Sequence, residues 1–502
     1  MTARGAGLDD EPVAKFGFRE TWIEGRQVFL NGTPFRMRPT LMNAVNAGAA
    51  SNNLTEAIEM GFNFGEIWPA GTEERSTDSS YTHWYDKADK AGFPISGMTP
   101  HMGWMGGGIN SPAKQAAYRA ATERVLRRYR NHPSIIMWGT SGNMFGSLKD
   151  PKYVGIIEAS RAVEALKGTP TSAGIPFGDI GVRIIKSVDP TRPVFVHNGG
   201  SAGDIYTANH YLNFIPLQER EEWLSNYVVN GEMPLMYVEF GTPVNISLMR
   251  GRNGFTNAYR SEHWLSEFAS IYLGNEAYKL ESADYRKKTA GLFEKDQSYQ
   301  FSHGMTEADY SPSWQKLQDL FIRNTWRSWR TMGMTGGMVP WDMAYSNFKG
   351  KRTPAGEALR AGNSETLAWI VGAAQTGDVA AFTAKDHSFF AGEPVRKQIA
   401  LLNDSRSVQK YTVRWTATVD GKPVGNGEKS GDLAVGNTLF VPFEFAAPTV
   451  TNKTGGVITM DSSIGDIKHT DSFEFRVWPR AVASRGNVSV FDPEGKTSAM
   501  LR

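Results

Sequence analysis

The sequence predicts an α/β protein, a (β/α)8 TIM barrel followed by a small antiparallel β-sandwich. Three observations carry that prediction. Eight short apolar runs alternate with amphipathic stretches through the first two thirds of the chain, the pattern of a parallel sheet wrapped by helices. Residues 378–480 instead read as strands and polar turns with almost no helical signal, as an antiparallel sandwich would. Finally, 502 residues are too many for one average domain and suit a barrel with a smaller partner.

The eight strand candidates are PFRMRPTL (34–41), GFNFGEIWP (61–69), FPISGMTP (93–100), SIIMWGTS (134–141), RPVFVHNG (192–199), DIYTANHY (204–211), PLMYVEFG (234–241) and GGMVPWDM (336–343). Between them lie helix candidates such as NLTEAIEM, THWYDKADKAG, PAKQAAYRAATERVLRRYR, FGDIGVRIIKSV, LQEREEWLSNYVV and SWQKLQDLFIRNTWRSWRTMG. A doubly wound sheet is the rival arrangement. It would carry a Gly-rich phosphate turn after its first strand, and PFRMRPTLMN has none. The expected domains are an entry segment at 1–33, ending a preceding β-domain, the barrel at 34–370 and the immunoglobulin-like sandwich at 375–482. The last stretch, 483–502, reads as a tail or the start of a further domain.

Composition excludes several classes of function. The formal charge of +2 offers no electrostatic footprint for nucleic acid, and the cluster Arg124, Arg127, Arg128 and Arg130 reads as a solvated helix face. With no cysteine there is no disulfide, thiolate metal ligand or cysteine nucleophile. No apolar run reaches the 18 residues of a membrane span. The first fifteen residues lack an apolar h-region, so the expectation is a cytoplasmic protein, or a periplasmic or secreted one whose leader has been removed. Aromatic residues reach 12% and many stand beside Gly, Asn or Asp, as in sugar-binding loops, although large rings also simply fill cores.

In a TIM barrel the active site lies at the C-terminal ends of the strands. Read there, the rim holds Asn43, Glu66, Trp68, His101, Trp104, Asn143, His197, Asn198, His210, Tyr211, Glu239, Trp341 and Asp342. It is polar, aromatic and rich in carboxylates, with no clear metal triad and no phosphate loop, so the reading calls for no metal or organic cofactor.

Several segments resemble one family closely. FGFRETWIEGRQVFLNGTPFRMR (16–38) resembles the entry to the catalytic barrel of glycoside hydrolase family 2, the β-galactosidase, β-glucuronidase and β-mannosidase family. WYDKADKAGF (84–93) is similar to the helix before its third strand, and RNHPSIIMWGTSGN (130–143) to its fourth-strand signature. MPLMYVEFG (233–241) resembles the seventh-strand segment that carries the nucleophilic Glu, and GGMVPWD (336–342) the eighth-strand segment with its Trp. The resemblance implies a retaining β-glycosidase of clan A, with Glu239 as nucleophile and Asn143 as the ligand of the sugar 2-hydroxyl. It fails at one position: the family's acid/base Glu follows that Asn, and here Met144 does.

A retaining glycosidase needs two carboxyl groups roughly 5–5.5 Å apart. Glu239 fits one role, because a carboxylate inside the apolar run LMYVEFG is costly unless it is paired or functional. The competing reading is a structural carboxylate paired with a barrel arginine such as Arg36. Candidates for the missing acid are Glu66, also a carboxylate in an apolar run, Asp150, in the loop after the fourth strand, and Asp342, beside Trp341, with His101 as a further possibility. Trp341 and Trp68 read as sugar platforms; the resemblance implies that His210 and Tyr211 neighbour the nucleophile, the alternative being a polar pair beneath the core, and Asp342 could equally orient the nucleophile. HNGG at 197–200 reads as a turn, and Trp138 as packing. The insertion from about 244 to 312 either narrows the site or forms a homo-oligomer contact. The expected partner is an oligosaccharide or glycoside, with no nucleic acid or membrane. The rival function is a non-catalytic carbohydrate-binding protein on the same barrel.

Overall fold

The computed structural model describes residues 3–5, 8–10, 16–42, 47–67, 80–102, 109–140, 175–210, 212, 215–241, 269–280, 312–340, 347–348, 351–373, 378–480, 491–496 and 499. Each of the eight apolar runs contains a strand. These are β1 (Pro39–Met42), β2 (Phe64–Ile67), β3 (Ile95–Met98), β4 (Ile135–Thr140), β5 (Val194–Val196), β6 (Tyr206–His210), β7 (Leu235–Phe240) and β8 (Gly337–Pro340). The first five form one parallel sheet in the order β5-β4-β3-β2-β1, and the last three another, β6-β7-β8. The sheets meet at both ends. Asp204 N donates to Val194 O at 2.8 Å beside β5, and Met37 N donates to Thr335 O at 2.8 Å beside β8. At that second junction Gly337 has φ +79°, and a Cβ on it would lie 2.4 Å from Met37 O, so no other residue fits.

Both faces of these strands are covered, which is why they read as unbroken apolar runs rather than alternating ones. One face packs on helices. These include α1 (Ala47–Glu59), α2 (Ser80–Ala91), α3 (Pro112–Tyr129), α4 (Ile175–Val188), α5 (Leu217–Glu222), α6 (Ser225–Asn230), α7 (Glu276–Leu280), α8 (Pro312–Thr331) and α9 (Pro354–Gly362). α3 begins where Ser111, in extended conformation, accepts from Lys114 N, and Pro112 occupies the first turn, where its missing N–H costs nothing. α8 buries Leu317, Phe321, Ile322, Trp326 and Trp329, a stripe at helical spacing. The opposite face of the strands forms a second core of Phe64, Ile136, Phe195, Met236 and Val238. Val28, Leu30 and Phe35, from the N-terminal hairpin Thr21–Glu24/Gln27–Leu30 and its continuation, close this core.

The C-terminal region is a separate pair of sheets. β9 (Thr366–Gly372), β11 (Pro394–Asn403) and β14 (Thr438–Ala446) form one, antiparallel throughout. β10 (Ser388–Phe390), β16 (Ile467–Trp478), β15 (Thr454–Ile464), β12 (Gln409–Val419) and β13 (Lys422–Leu433) form the other in that order. Their facing residues share one core in which Trp415 stacks on Phe443 with ring centroids 4.3 Å apart. β12 and β15 alternate buried and exposed positions as predicted. β9 does not, and its first five residues lie within the segment the sequence assigns to the barrel. Ala368 and Ile370 face the C-terminal core while Trp369 and Val371 face the helices, so both sides of the strand are apolar.

Buried ions fasten the two regions together. Asp404 lies between Arg36 (3.1 Å) and Arg330 (2.8 Å), and its side chain has no solvent exposure. Arg330 also donates to Gly362 O (2.5 Å) and Ser364 O (2.7 Å), and Arg36 to Gly436 O. Arg36 thus pairs with the C-terminal region.

Candidate active site

The C-terminal ends of β2, β5 and β7 bring together three buried ionisable side chains. Glu66 stands on β2 two residues after Phe64, and His197 two residues after Phe195 on β5. Because alternate residues of a strand share a face, both follow those phenylalanines to the inner side. Glu239 needs a different device. β7 carries one extra residue relative to both neighbours, since Ala208 pairs with Tyr237 but Asn209 with Glu239, and Met338 with Tyr237 but Pro340 with Phe240. Tyr237 and Phe240 consequently both pack outward against Trp329. Val238 and Glu239 are left on the inner side. Such bulges commonly re-aim side chains beside functional sites.

The resulting geometry is a line of three groups. His197 Nδ1 is 2.6 Å from Glu66 Oε1, a charge-assisted hydrogen bond, and His197 Nε2 is 3.6 Å from Glu239 Oε1, an ion-pair distance. All three side chains are at most 2% exposed. Burial by itself pushes the His197 imidazole down, but the charge of Glu66 and the contact with Glu239 outweigh it and hold its pKa at about 9. The ring is therefore an imidazolium at neutral pH. The turn reading of HNGG also holds, in backbone terms. Asn198 adopts φ +52° and Gly200 φ +60°, and Asn198 Oδ1 accepts from Asn209 N at 2.9 Å. That turn places the ring, so residues of the rim that read mainly as a turn also build the site. Asn209, buried on β6, carried no sequence signal of its own.

Polar contacts also pin the ends of β3 and β4. Thr99 N donates to Gly139 O at 2.9 Å, and the Tyr118 hydroxyl lies 3.0 Å from Thr140 Oγ1 and 3.3 Å from Thr99 Oγ1. His101 follows at the end of β3, half-buried. Trp138 is packing, as expected: its ring would collide with any Cβ at Gly97, and its Nε1 donates to Asp189 at 2.8 Å. Of the other predicted residues, His210 ends β6, with only its backbone described. Asn143, Asp150, Trp68, Tyr211, Trp341 and Asp342 lie outside the described residues, as do Asn43, Trp104 and Met144.

At the opposite ends of the strands Asp86, Asp89 and His132 offer ligand atoms within 4.8 Å of one another, beside a cavity of about 560 Å³ that Lys90 also lines. Asp89 is already engaged there, with Ser134 N (2.9 Å) and His132 Nδ1 (2.7 Å). Burial opposes its ionisation, yet these hydrogen bonds hold its carboxyl below the usual range. The group reads as the brace of the turn into β4.

Residues 82–313 match the family described as glycosyl hydrolases family 2, TIM barrel domain. No curated protein matches the chain. Among solved structures, a β-D-mannosidase from Dictyoglomus thermophilum superposes with a TM-score of 0.53 at 14% identity, covering 92% of this chain and 53% of that one. The exo-chitosanase of Amycolatopsis orientalis gives 0.51 at 14% identity, covering 96% and 53%. At such identities the likeness is one of fold, and the chain spans about half the length of these structures.

Proposed function

We propose, from the match of residues 82–313 to the barrel domain of glycosyl hydrolases family 2, that the chain is a retaining β-glycosidase acting on β-linked oligosaccharides or glycosides. In this reading the two parallel sheets are arcs of one closed (β/α)8 barrel. The C-terminal sheets form an immunoglobulin-like sandwich that begins near residue 365. The observation that carries the proposal is Glu239, a carboxylate with no solvent exposure, turned to the inner side by a bulge and facing an imidazolium. A buried anion at the C-terminal end of a barrel strand is where and what a glycosidase nucleophile needs to be.

Glu239 attacks the anomeric carbon, the bond from that carbon to the leaving oxygen breaks, and a donor passes its proton to that oxygen. Water then hydrolyses the glycosyl ester and restores the carboxylate. Asn143 holds the 2-hydroxyl, Trp341 and Trp68 flank the sugar, and His210, Tyr211 and Asp342 line the site. Glu66 is committed to His197, which leaves Asp150 and His101 as the proton donors to test. Met144, where the family has its acid, favours a second reading, a carbohydrate-binding protein that retains the barrel without turnover.

Assay of the protein and Glu239→Gln on aryl β-glycosides with activated leaving groups, and on disaccharides, separates the two. Turnover in the parent protein that vanishes in the variant supports the nucleophile. Equal residual rates in both overturn the enzyme. Asp150→Asn and His101→Gln then locate the donor: its loss slows poor leaving groups far more than activated ones.

A further inference from the structure

The position of His197 gives Glu239 a specific partner. We propose that His197 is a positioning residue for the nucleophile: its imidazolium, oriented from behind by Glu66, supplies the countercharge that keeps Glu239 ionised and aimed. The inference rests on the glycosidase reading and adds a role for two residues of the same site.

Three observations support it. First, every residue of β7 is buried, and desolvation favours the neutral form of a carboxyl group, whereas a nucleophile must be an anion. Among the described residues, the charged groups facing His197 are Glu66 from β2 and Glu239 from β7. The imidazolium is thus a cation placed to oppose desolvation of Glu239. Second, Glu66 Oε1 lies against the ring, while Glu66 Oε2 has no hydrogen-bond partner among the described residues. A carboxylate buried this way makes sense as the group that fixes the ring and keeps it protonated, the part an orienting carboxylate plays for a catalytic histidine.

The third is charge balance through the reaction. Before attack the line holds two carboxylates and one imidazolium, a net charge of −1. Ester formation consumes the charge of Glu239, and Glu66 with His197 then forms a neutral pair. Without Glu66 the imidazolium would be stranded in a buried site at the covalent stage, where an uncompensated ion is costly. With it the intermediate is the better-balanced state, and the carboxylate released on hydrolysis meets a cation already in place.

The test joins a spectroscopic and a kinetic measurement. In nitrogen-15 histidine NMR, with the His197 signal assigned by its loss in His197→Gln, the ring titrates near 9 in the parent protein. Glu239→Gln lowers that midpoint by about one unit or more, and Glu66→Gln lowers it further. In kinetics on an activated aryl β-glycoside, which needs little help from an acid, His197→Gln moves the acidic limb of kcat/KM up by roughly 1–3 units. Glu66→Gln, in which the ring is still protonated at acid pH, moves it far less. A folded His197→Gln with its acidic limb in the original place overturns the proposal, as does a His197 midpoint that ignores Glu239→Gln. If His197→Gln fails to fold, the signal is assigned by elimination among the other histidines, and the Glu66 and Glu239 variants decide. A parent protein inactive on every aryl glycoside removes the nucleophile, and the positioning role with it. An unmoved midpoint in an active enzyme overturns this inference alone.

Discussion

Among the described residues, two buried ion triplets have opposite make-up. At the junction of its two regions one anion, Asp404, serves two cations, Arg36 and Arg330. At the ends of the barrel strands one cation, His197, lies between two anions, Glu66 and Glu239. The junction cations also donate to backbone carbonyls on either side of it, Gly362, Ser364 and Gly436. Such bonds let charges remain buried without straining the fold. The site triplet joins side chains from the ends of three strands, with two carboxyl groups to one imidazole. The contrast teaches that burial of ions by itself says little about function; the sign of the excess and the nature of the partners say more.

The comparison can be broken most severely at Glu239. Glu239→Gln is expected to cut turnover on the order of 10⁴-fold or more, as loss of a covalent nucleophile does in other enzymes. It should leave the melting temperature unchanged or higher, because one of two like charges has gone. Steady-state kinetics with calorimetry checks both; a large drop in melting temperature would show that the site anion is structural after all. Asp404→Ala is the mirror case. It leaves two buried guanidinium groups without their anion and should cost about 3–5 kcal/mol in denaturant unfolding. The pH dependence of any remaining activity should not move.

A finer test uses pH. The folded-state pKa of His197 is raised from 6.5 to about 9, so its contribution to stability is complete below about 6.5 and is lost as pH rises through 9. His469, 2.8 Å from Thr366 Oγ1 at the junction, behaves oppositely. Burial and then the charge of Arg330 lower its pKa to about 4. Its imidazole must therefore stay neutral in the fold, and stability is full above 6.5 and declines as pH falls from 6.5 towards 4. Melting curves across this range should show the alkaline loss shrink in His197→Gln and the acidic loss shrink in His469→Gln. The smallest effect belongs to the exposed pair Arg396–Glu444, 2.7 Å apart on the C-terminal sheet. Arg396→Ala should change stability by less than about 1 kcal/mol, a baseline for what an ion pair contributes when water screens it.

Much of this was legible in the chain because the signals are local. Unbroken apolar runs bounded by Gly, Pro and Asn marked the eight strands. Glu66 and Glu239 stood out because carboxylates in such runs demand a reason. β9 was missed for the same cause: with both faces buried, TLAWIVG lacks the alternation that marks a strand of the C-terminal sheets. His197 was legible as a rim residue in a turn, but its pairing was not, since its partners lie 131 and 42 residues away in sequence.

The sequence alone determined the order of strands and helices, the family likeness and the two carboxylates, because periodicity and composition act over a few residues. Only the tertiary structure decided which of them meet. By simple alternation Glu239 would share the face of Tyr237 and point towards the helices. The extra residue in β7 turns it inward, and the pairing of β6 and β8 against that strand, not any local pattern, sets the bulge. The partner of Arg36 was decided in the same way, by a fold that brings Asp404 across 368 residues of chain.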